Sequence, residues 1–414
     1  MAANPRNPRQ ILVSWIQDGR TTDTVMASRD GGRSFSRVFV PGLSACTGGP
    51  FQVASDPGVA FNANGRKAYF TAIVVDNPES AEGASTAMIA SRSSDGGFSW
   101  GRPYVIQPLT GEFWDLPRLT ADPRRPKQAY YVYDLREPPG FFSGYSVLST
   151  TTDGGRTWSA PQGLYDPGTS NSWPAITKIL VNRDGSLVAI SAIVATDPAD
   201  PLAPNPTQQV AVRSVDGGRT WGAPITIGDS AGRRPNDPAT GNVFNAYVTY
   251  PSQTVAPNGD LYVSWVDTGD GNESSRIAIA RSTDGGRHWR TRELATHAQA
   301  ALPTVEVAGD GTVGVLYYKI AQSSSNGYWS TRVALATSPD RGRHWSQRAV
   351  TRPFNLLTAG TAARPCCFLG DYEGSGSLPH GFVAAFPMGQ PIAKHGVDAY
   401  FIRVMTSGRG AGRR

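Results

Sequence analysis

The chain has 414 residues, 39% of them hydrophobic, and a formal net charge of +6. It has no run of five or more basic residues, which argues against a nucleic-acid partner, and no apolar stretch of about 18 residues that would predict a membrane span. Its three cysteines show no Cys-x-x-Cys spacing, so nothing in the sequence indicates a zinc site.

One short pattern recurs six times along the chain. It consists of Ser or Thr, any residue, Asp, any residue, Gly, two further residues and an aromatic residue, and its first copy covers residues 28–35. Successive copies stand roughly 60 residues apart, and such a period is typical of a repeat architecture. The aspartates of the six copies are Asp30, Asp95, Asp153, Asp216, Asp284 and Asp340.

Each part of this pattern has a physical role in a tight turn. The Asp carboxylate accepts hydrogen bonds from its own turn, the glycine permits positive φ, and the aromatic residue packs between neighbouring sheets. Strand patterns flank the copies, such as residues 276–280 before the fifth and 225–227 after the fourth. Two more strands lie upstream of most copies, often joined by Asn-Gly or Asp-Gly. Four strands in about 60 residues predict an all-β propeller of four-stranded antiparallel blades.

The two ends of the chain decide the number of blades. The residues before 10–15 resemble the end of a first strand, and residues 370–374, 382–386 and 398–404 offer most of a further blade without the pattern. Seven blades are therefore favoured, with six as the alternative. The predicted organisation is a single propeller domain over residues 1–406 and a disordered basic tail over residues 407–414.

Six copies of this pattern, one per blade, resemble the Asp-boxes of the sialidase (neuraminidase) superfamily and its relatives with BNR repeats. The resemblance covers nearly the whole chain and implies the propeller fold. In that family the boxes are structural and also occur in propellers without enzymatic activity, so they carry little information about activity.

A binding pocket is expected at the starts of the inner strands. In a propeller, the loops that precede these strands share one face, and the Asp-box turns lie on the other. Acids, an arginine, tyrosines and tryptophans recur at these starts, which is the composition of a carbohydrate site. The starts are residues 51–57, 113–119, 171–174, 244–247, 302–306 and 369–373.

The family resemblance implies a mechanism with three parts: an arginine cluster that binds the substrate carboxylate, a tyrosine nucleophile with a glutamate partner, and an aspartic acid/base. The candidates by position are Tyr372 as nucleophile, Glu306 or Glu373 as its partner, Asp115 or Asp56 as acid/base, and Arg118 and Arg364 as clamps. Further substrate contacts are expected from Trp114, Trp173, Asp371 and Asn245. The Arg-Ile-Pro tripeptide that active sialidases carry on their first strand is absent from this sequence.

Structural roles are the alternatives for several of these residues. Asp56 and Asp115 also fit turn caps, because aspartate is common at such positions. Arg118 also fits a structural ion pair with a neighbouring carboxylate, and Trp173 is equally consistent with core packing.

No cofactor is expected. One acidic loop offers oxygen ligands for Ca²⁺, but it lacks the spacing of a known calcium loop, so a solvated turn is favoured. Its candidate ligands are Asp267, Asp270, Asn272 and Glu273. The cysteines leave two alternatives for an exported protein, a bridge from Cys46 to Cys366 or Cys367, or a vicinal bridge between Cys366 and Cys367.

The sequence favours a glycan-active propeller of sialidase-like type. If it is an enzyme, we expect an exo-acting glycoside hydrolase of the exo-α-sialidase type, with a glycan or glycoconjugate as substrate. The alternatives are a non-catalytic propeller that binds a glycan or protein, and an intracellular assembly scaffold. Secretion is favoured over a cytoplasmic location, with a signal peptide that this chain does not contain.

Overall fold

The computed structural model describes most of the chain and shows an all-β protein. The described residues contain 28 β-strands and two 3₁₀ helices, Ala45–Thr47 and Leu356–Thr358. None of the helices there has the length and hydrophobicity needed to cross a membrane. The residues outside the description are 18–19, 77–84, 138–141, 198, 200–205, 238, 246–249, 269–274, 297, 322–326, 362–365, 372, 391–395 and 407–414.

The strands belong to two compact units, and the first, residues 1–226, carries the first four sheets. Each of these sheets has four strands, each paired antiparallel to the next along the chain. The strands are β1 (Ala2–Ala3), β2 (Ile11–Gln17), β3 (Thr22–Ser28), β4 (Ser36–Phe39), β5 (Val53–Phe61), β6 (Ala68–Val75), β7 (Thr86–Ser93), β8 (Tyr104–Gln107), β9 (Phe113–Ala121), β10 (Ala129–Glu137), β11 (Ser143–Thr151), β12 (Gln162–Tyr165), β13 (Ser172–Val181), β14 (Leu187–Ala195), β15 (Thr207–Ser214) and β16 (Ile225–Ser230), the last of which continues into the second unit.

The second unit, residues 227–414, carries three sheets. The fifth sheet has four strands, the sixth has five because β25 also pairs with β23, and the seventh has three. The strands are β17 (Ser252–Val255), β18 (Leu261–Asp267), β19 (Arg276–Ser282), β20 (Arg290–Leu294), β21 (Gln299–Val307), β22 (Val313–Ile320), β23 (Ser330–Ser338), β24 (Ser346–Ala349), β25 (Phe354–Asn355), β26 (Gly374–Leu378), β27 (Gly381–Gly389) and β28 (Val397–Met405).

Seven antiparallel sheets in chain order confirm the prediction of an all-β, seven-bladed propeller. The seventh blade departs from the predicted four strands, because β26, β27 and β28 form a three-stranded sheet in the described residues. The single domain over residues 1–406 stays a prediction, and the predicted tail over residues 407–414 lies outside the described residues.

The six copies of the repeated pattern form the turns between the third and fourth strands of the first six sheets. In the first turn, Ser28 Oγ and the amides of Arg33 and Ser34 donate to Asp30 Oδ1 at 2.8, 2.9 and 3.0 Å. Ser34 Oγ donates to Asp30 Oδ2 at 2.6 Å. Gly32 has a φ of 85°, which a residue with a side chain rarely adopts. The expected self-contained turn is therefore confirmed.

Apolar clusters fill the spaces between neighbouring sheets within each unit. The tryptophans of the repeated turns extend these clusters. Trp100 lies edge-on to Phe70 with the ring centroids 5.9 Å apart, and Trp158 lies likewise 6.0 Å from Tyr131. Only 6% of Trp100 and 8% of Trp158 is exposed, so the turns are anchored by apolar burial as well as by hydrogen bonds.

Candidate functional site

Three inner strands share a strained irregularity near their starts, where a residue with positive φ directly precedes a proline. These residues are Asp56, Leu116 and Leu302, with φ of 57°, 52° and 48°. The register with the second strand of the sheet shifts at each of them. Such bulges redirect side chains, and backbone strain at non-glycine residues tends to mark functional sites. Three of the inner-strand starts at which the sequence predicts a pocket therefore have an irregular backbone, whereas the strands that follow them are regular.

Beside the second of these bulges, an ion pair stacks on an aromatic ring. Arg136 Nη2 lies 3.8 Å from Asp115 Oδ2, and the guanidinium carbon of Arg136 lies 3.0 Å from the ring centroid of Trp173. The side chain of Arg136 is only 8% exposed, whereas that of Asp115 keeps 24% of its surface exposed. Burial raises the pKa of Asp115, Arg136 partly offsets the rise, and Asp56 adds to it. Asp115 is therefore a carboxyl with a perturbed pKa that solvent can still reach.

A second carboxyl, Asp134, lies fully buried behind Asp115 on β10. Burial raises its pKa to about 8, against weaker lowering by a hydrogen bond from Ser146 and the charge of Arg136. Ser146 Oγ donates to Asp134 Oδ1 through a short hydrogen bond, while Asp134 Oδ2 has no hydrogen-bond partner among the described residues. A carboxyl with these surroundings holds its proton at neutral pH.

A third carboxyl, Asp23 on β3, is also fully buried. Burial raises its pKa, and the charge of Asp56 raises it further, while Arg20 lowers it. Neither carboxylate oxygen of Asp23 has a hydrogen-bond partner in the described part of the chain. Asp56 itself is partly exposed and accepts a 2.9 Å hydrogen bond from Ser55 Oγ.

These four side chains form one electrostatically coupled set in the first unit, which we call the carboxyl row. Asp56 acts on both Asp23 and Asp115, and Asp115 acts on Asp134. Two members are partly exposed and two are buried with raised pKa values. Carboxyls whose environments separate their pKa values can divide the roles of proton donor and proton acceptor.

The residues that sequence reasoning missed here are Asp23, Asp134 and Arg136. All three lie on middle strands rather than at the inner-strand starts. A signal was present for two of them, because the aspartate and arginine of β10 interrupt an otherwise apolar and aromatic strand. A charged residue in such a strand is unusual unless it is paired.

The other predicted residues of the first unit are largely packed into the protein. Trp114 is 4% exposed and lies between Tyr133 and Tyr145, with ring centroids 5.3 and 6.4 Å away. Trp173 is 3% exposed beneath Arg136. Arg118 is partly buried and donates from Nη1 to the Pro117 carbonyl oxygen at 2.9 Å. These contacts favour the core-packing alternative for Trp173, and they show that Trp114, expected as a substrate contact, is packed as well.

In the second unit, Glu306 ties together three neighbouring sheets. Its Oε2 accepts a hydrogen bond from Thr254 Oγ1 at 3.3 Å, and its Oε1 accepts one from Ser375 Oγ at 3.2 Å. These partners come from β17 and β26, on either side of β21. The carboxylate is thus held by neutral hydroxyl groups.

Glu373 lies in a more unusual environment, close to Tyr318. The residue is partly buried, but both carboxylate oxygens are shielded from solvent and have no hydrogen-bond partner among the described residues. Burial raises the pKa of Glu373 well above its ordinary value, and Tyr318 offsets part of the rise. The Tyr318 hydroxyl donates to the Pro387 carbonyl oxygen at 2.7 Å, and burial raises its pKa as well. Tyr318 is a further residue that sequence reasoning missed.

The remaining predicted residues belong to the second unit. Asp371 is partly exposed, and the backbone N–H of Asn245 donates to the Cys367 carbonyl oxygen at 2.8 Å. Tyr372 and Arg364 lie outside the described residues, as do three of the four calcium candidates, Asp270, Asn272 and Glu273. In the part of the chain that is described, no group of three or more His, Cys, Asp or Glu side chains could hold a metal ion.

The cysteines follow the second of the two predicted alternatives. Cys366 and Cys367 form a vicinal disulfide, and Cys46 is an exposed free cysteine. Cys367 is 1% exposed and belongs to the apolar cluster between the sixth and seventh sheets. In the chain, the bridge precedes β26, and Cys366 comes seven residues before Glu373.

Comparison with known proteins gives a match in sequence and matches in structure. No protein-family model matches the chain. A sialidase from Micromonospora viridifaciens is 28% identical over 121 residues, which are 24% of this chain and 19% of that protein. The leech intramolecular trans-sialidase, solved with 2,7-anhydro-Neu5Ac, superposes with a TM-score of 0.54 at 12% identity, over 91% of this chain and 71% of that one.

Two further structures have similar scores. The Hadza microbial sialidase Hz136 has a TM-score of 0.52 at 14% identity, covering 88% of this chain and 71% of the other. A protein of unknown function from Dyadobacter fermentans has a TM-score of 0.51 at 16% identity, covering 85% and 94%. The fold is sialidase-like. At these identities the likeness concerns the fold, and activity has to be argued from the side chains.

Proposed function

We propose that this chain is a glycan-active propeller of the sialidase-like type that acts as an exo-glycoside hydrolase, with its repeated turns serving as structural Asp-boxes. The observation that carries the proposal is the carboxyl row, because it places Asp56 and Asp115 at strained strand starts and couples them to the buried carboxyls Asp23 and Asp134. Glycoside hydrolysis needs a carboxyl that can donate and accept a proton beside the scissile bond.

Asp115 is the acid/base that the geometry supports best. It is partly exposed, so a substrate can reach it, and burial raises its pKa above the ordinary value, which favours the protonated form that a general acid needs. Arg136 forms an ion pair with it at 3.8 Å. Asp56 is the second choice, and its charge raises the pKa of Asp115, so one carboxyl favours protonation of the other.

The remaining roles follow the sialidase resemblance. Tyr372 would act as nucleophile, and Glu373 or Glu306 would accept its proton. Burial raises the pKa of Glu373 well above its ordinary value, so it can accept this proton only after it has lost its own. Arg118 and Arg364 would bind the carboxylate of an anionic sugar, ideally through two parallel hydrogen bonds.

The test is a kinetic screen of the purified chain against fluorogenic glycosides that include a sialoside. Turnover of the sialoside is expected, and Asp115→Asn should lower kcat about 10²–10⁴-fold because a proton donor is lost. Tyr372→Phe should lower kcat by orders of magnitude with little change in KM. Asp153→Asn, in a repeated turn, is the control and should leave kcat of the folded protein unchanged. Turnover that is unaffected by Asp115→Asn would contradict the assigned role.

A non-catalytic glycan-binding propeller is the second candidate. It is favoured because Arg136 already pairs with Asp115 and stacks on Trp173, so these side chains are occupied by contacts within the protein. This candidate predicts glycan binding without turnover on the whole panel, and binding that survives Tyr372→Phe.

An extracytoplasmic location fits both candidates. The vicinal disulfide supports it, because disulfides persist mainly in oxidising compartments. Expression in the bacterial periplasm and in the cytosol, followed by thiol labelling without reduction, tests this. One labelled cysteine in periplasmic protein and three in cytosolic protein are expected, whereas three in both would contradict the location.

A further inference from the structure

The first unit separates its charges between the two ends of its strands. Because neighbouring strands are antiparallel, the segments that join the first strand to the second and the third to the fourth lie at one end of each sheet. These eight segments contain 13 arginines and lysines, six aspartates and no glutamate. We call them the turn face, and they are residues 4–10, 29–35, 62–67, 94–103, 122–128, 152–161, 182–186 and 215–224.

The segments that connect the opposite strand ends have the reverse balance. They contain eight acidic residues and a single basic one, Arg20. All four members of the carboxyl row also lie near these ends of their strands. The unit is therefore cationic at the turn face and anionic at the other end. The connecting segments are residues 18–21, 40–52, 76–85, 108–112, 138–142, 166–171 and 196–206.

The six aspartates of the turn face are hydrogen-bonded to hydroxyl groups and backbone amides of their own turns. Asp153, for example, accepts hydrogen bonds from the Arg156 amide and from Thr157 Oγ1, both at 2.8 Å. Asp122 accepts one from the Arg124 amide at 2.8 Å. The basic side chains outnumber these carboxylates by seven, so the turn face keeps a net positive charge.

Contacts between neighbouring sheets make the turn face continuous. Asn4 Nδ2 donates to the Gly65 carbonyl oxygen at 2.8 Å, which joins the hairpins of the first and second sheets. Asn62 Nδ2 donates to the Pro126 carbonyl oxygen at 2.8 Å, which joins those of the second and third sheets. The charges of successive turns therefore belong to one surface.

Three basic residues surround a single repeated turn on this surface. The amide of Gly154 donates to the Lys127 carbonyl oxygen at 2.8 Å, so the two turns of the third sheet lie side by side. A Cβ atom at Gly154 would lie 3.1 Å from Lys67 Nζ of the second sheet. Arg156 follows two residues later, and both Lys127 and Arg156 are exposed. This cluster lies where the second and third sheets meet.

We propose that the turn face binds a linear acidic polysaccharide, whose carboxylate or sulfate groups pair with the exposed basic side chains. Eleven of the 13 basic residues are arginines. The planar guanidinium group donates two parallel hydrogen bonds to such oxyanions, and a row of them along one surface suits a polymer with repeated negative charges.

The turn face favours a polysaccharide over a single-stranded nucleic acid. The structure describes all eight turns, and none of their aromatic rings is exposed, so bases find no ring on which to stack. The choice of a polysaccharide also rests on the proposed glycan-directed function, whereas the charge of the face does not. A polyanion bound here is repelled from the opposite strand ends, and Asp56 and Asp115 therefore face away from it.

The experiment uses the full chain and a fluorescein-labelled heparin oligosaccharide, with binding followed by anisotropy at about 0.15 M NaCl. Binding is expected, and the affinity should fall steeply as salt is added, because binding releases counterions. An uncharged dextran oligosaccharide should not compete. A single-stranded DNA with the same number of negative charges should compete about tenfold less well than unlabelled heparin, since its bases gain no contacts.

Two double variants with the same net charge complete the design. Lys127→Glu with Arg156→Glu should weaken heparin binding about tenfold or more and make its salt dependence shallower. Lys319→Glu with Arg332→Glu is the matched control, because these residues are paired on β22 and β23 of the second unit, outside the turn face. The control should leave the affinity unchanged, and melting temperatures report whether both variants are folded.

Three results would overturn the proposal. They are a heparin oligosaccharide that does not bind, a DNA strand that competes as well as heparin does, and a control variant that weakens binding as much as the turn-face variant. None of these readouts depends on glycoside turnover, so the failure of this proposal and the failure of the proposed hydrolase activity are distinguished.

Discussion

The repeated turns and the carboxyl row use the same chemical group in opposite surroundings. In the turns, as at Asp216, the hydroxyl and amide of Thr220 and the hydroxyl of Ser214 donate to an exposed carboxylate and lower its pKa. In the carboxyl row, Asp23 and Asp134 are buried, both oxygens of Asp23 and Oδ2 of Asp134 lack hydrogen-bond partners among the described residues, and the pKa values of both groups are raised. The turns thus stabilise the ionised carboxylate, whereas the burial of Asp23 and Asp134 favours their protonated forms.

This difference indicates how the molecule divides its tasks. A satisfied carboxylate can be repeated in every sheet, because each turn contains its own donors. A buried carboxyl without partners costs free energy, and proteins retain such groups mainly where a site needs a perturbed pKa. The aspartates of the repeated turns therefore stabilise the fold, and the aspartates of the carboxyl row are the candidates for catalysis.

The largest expected effect tests the structural side of this comparison. Trp158→Ala should lower the free energy of unfolding by about 4 kcal/mol, because a buried aromatic side chain is replaced by a cavity. Ligand affinity and turnover per folded molecule should stay the same. Trp345→Ala, at a turn where the ring is only partly buried, should cost clearly less. Urea unfolding of both variants measures this, and equal losses would break the link between ring burial and stability.

The next effect tests the carboxyl row. Arg136→Ala should lower the free energy of unfolding by about 3 kcal/mol, because it leaves Asp115 without its ion-pair partner in a largely buried place. The control is Arg276→Ala, which breaks a 2.6 Å pair with Glu293 whose side chains are 52% and 49% exposed. That exposed pair should be worth less than about 1 kcal/mol. If Arg276→Ala lowers the free energy of unfolding as much as Arg136→Ala does, the buried ion pair contributes no more than the exposed one.

A third test sharpens the comparison through pH. Burial raises the pKa of Asp134 to about 8, against an ordinary value near 4. As pH rises, the unfolded chain loses the Asp134 proton at a lower pH than the folded chain does. The stabilisation that protonated Asp134 provides is therefore complete below about pH 4 and is lost as pH rises to about 8. The expected slope for this group is at most about 1.4 kcal/mol per pH unit. Asp134→Asn should flatten the profile, as measured by unfolding at several pH values.

Asp216→Asn is the matched control, and its sign is the reverse. Because hydrogen bonds from Thr220 and Ser214 lower the pKa of Asp216, its contribution is present above the ordinary pKa near 4 and is lost only as pH falls below it. The variant should therefore change the acid end of the profile and leave the slope between pH 5 and about 8 intact. A slope that is as steep in Asp134→Asn as in the parent would show that other buried carboxyls, such as Asp23 and Glu373, carry it.

The smallest expected effect concerns the thiols. Alkylation without reduction, followed by peptide mass spectrometry, should label Cys46 alone and recover Cys366 and Cys367 as one bridged peptide. Cys46→Ser should leave the melting temperature unchanged, because the residue is exposed and unbridged. A cross-linked peptide that joins Cys46 to either of the other two would contradict the structure.

Short-range patterns in the sequence determined the blades. The spacing of the six turns, their Asp and Gly residues and the Asn-Gly hairpins predicted six antiparallel sheets, because each turn is closed by hydrogen bonds within a few residues. The seventh sheet was expected from the strand patterns at the two ends of the chain. Asp30 and its donors Ser28 and Ser34 lie within seven residues of chain. Such contacts depend little on the rest of the fold, so the sequence pattern of a turn predicts its conformation directly.

The tertiary structure decided which carboxyls are perturbed and what surrounds them. Asp56 and Asp115 were found from their positions at strand starts, but their coupling to Asp23, Asp134 and Arg136 depends on which strand lies beside which and on bulges that shift the register. The pKa of a side chain reflects desolvation and neighbours that are distant in sequence, so the same Asp is an exposed acceptor in a turn and a buried proton carrier in the row.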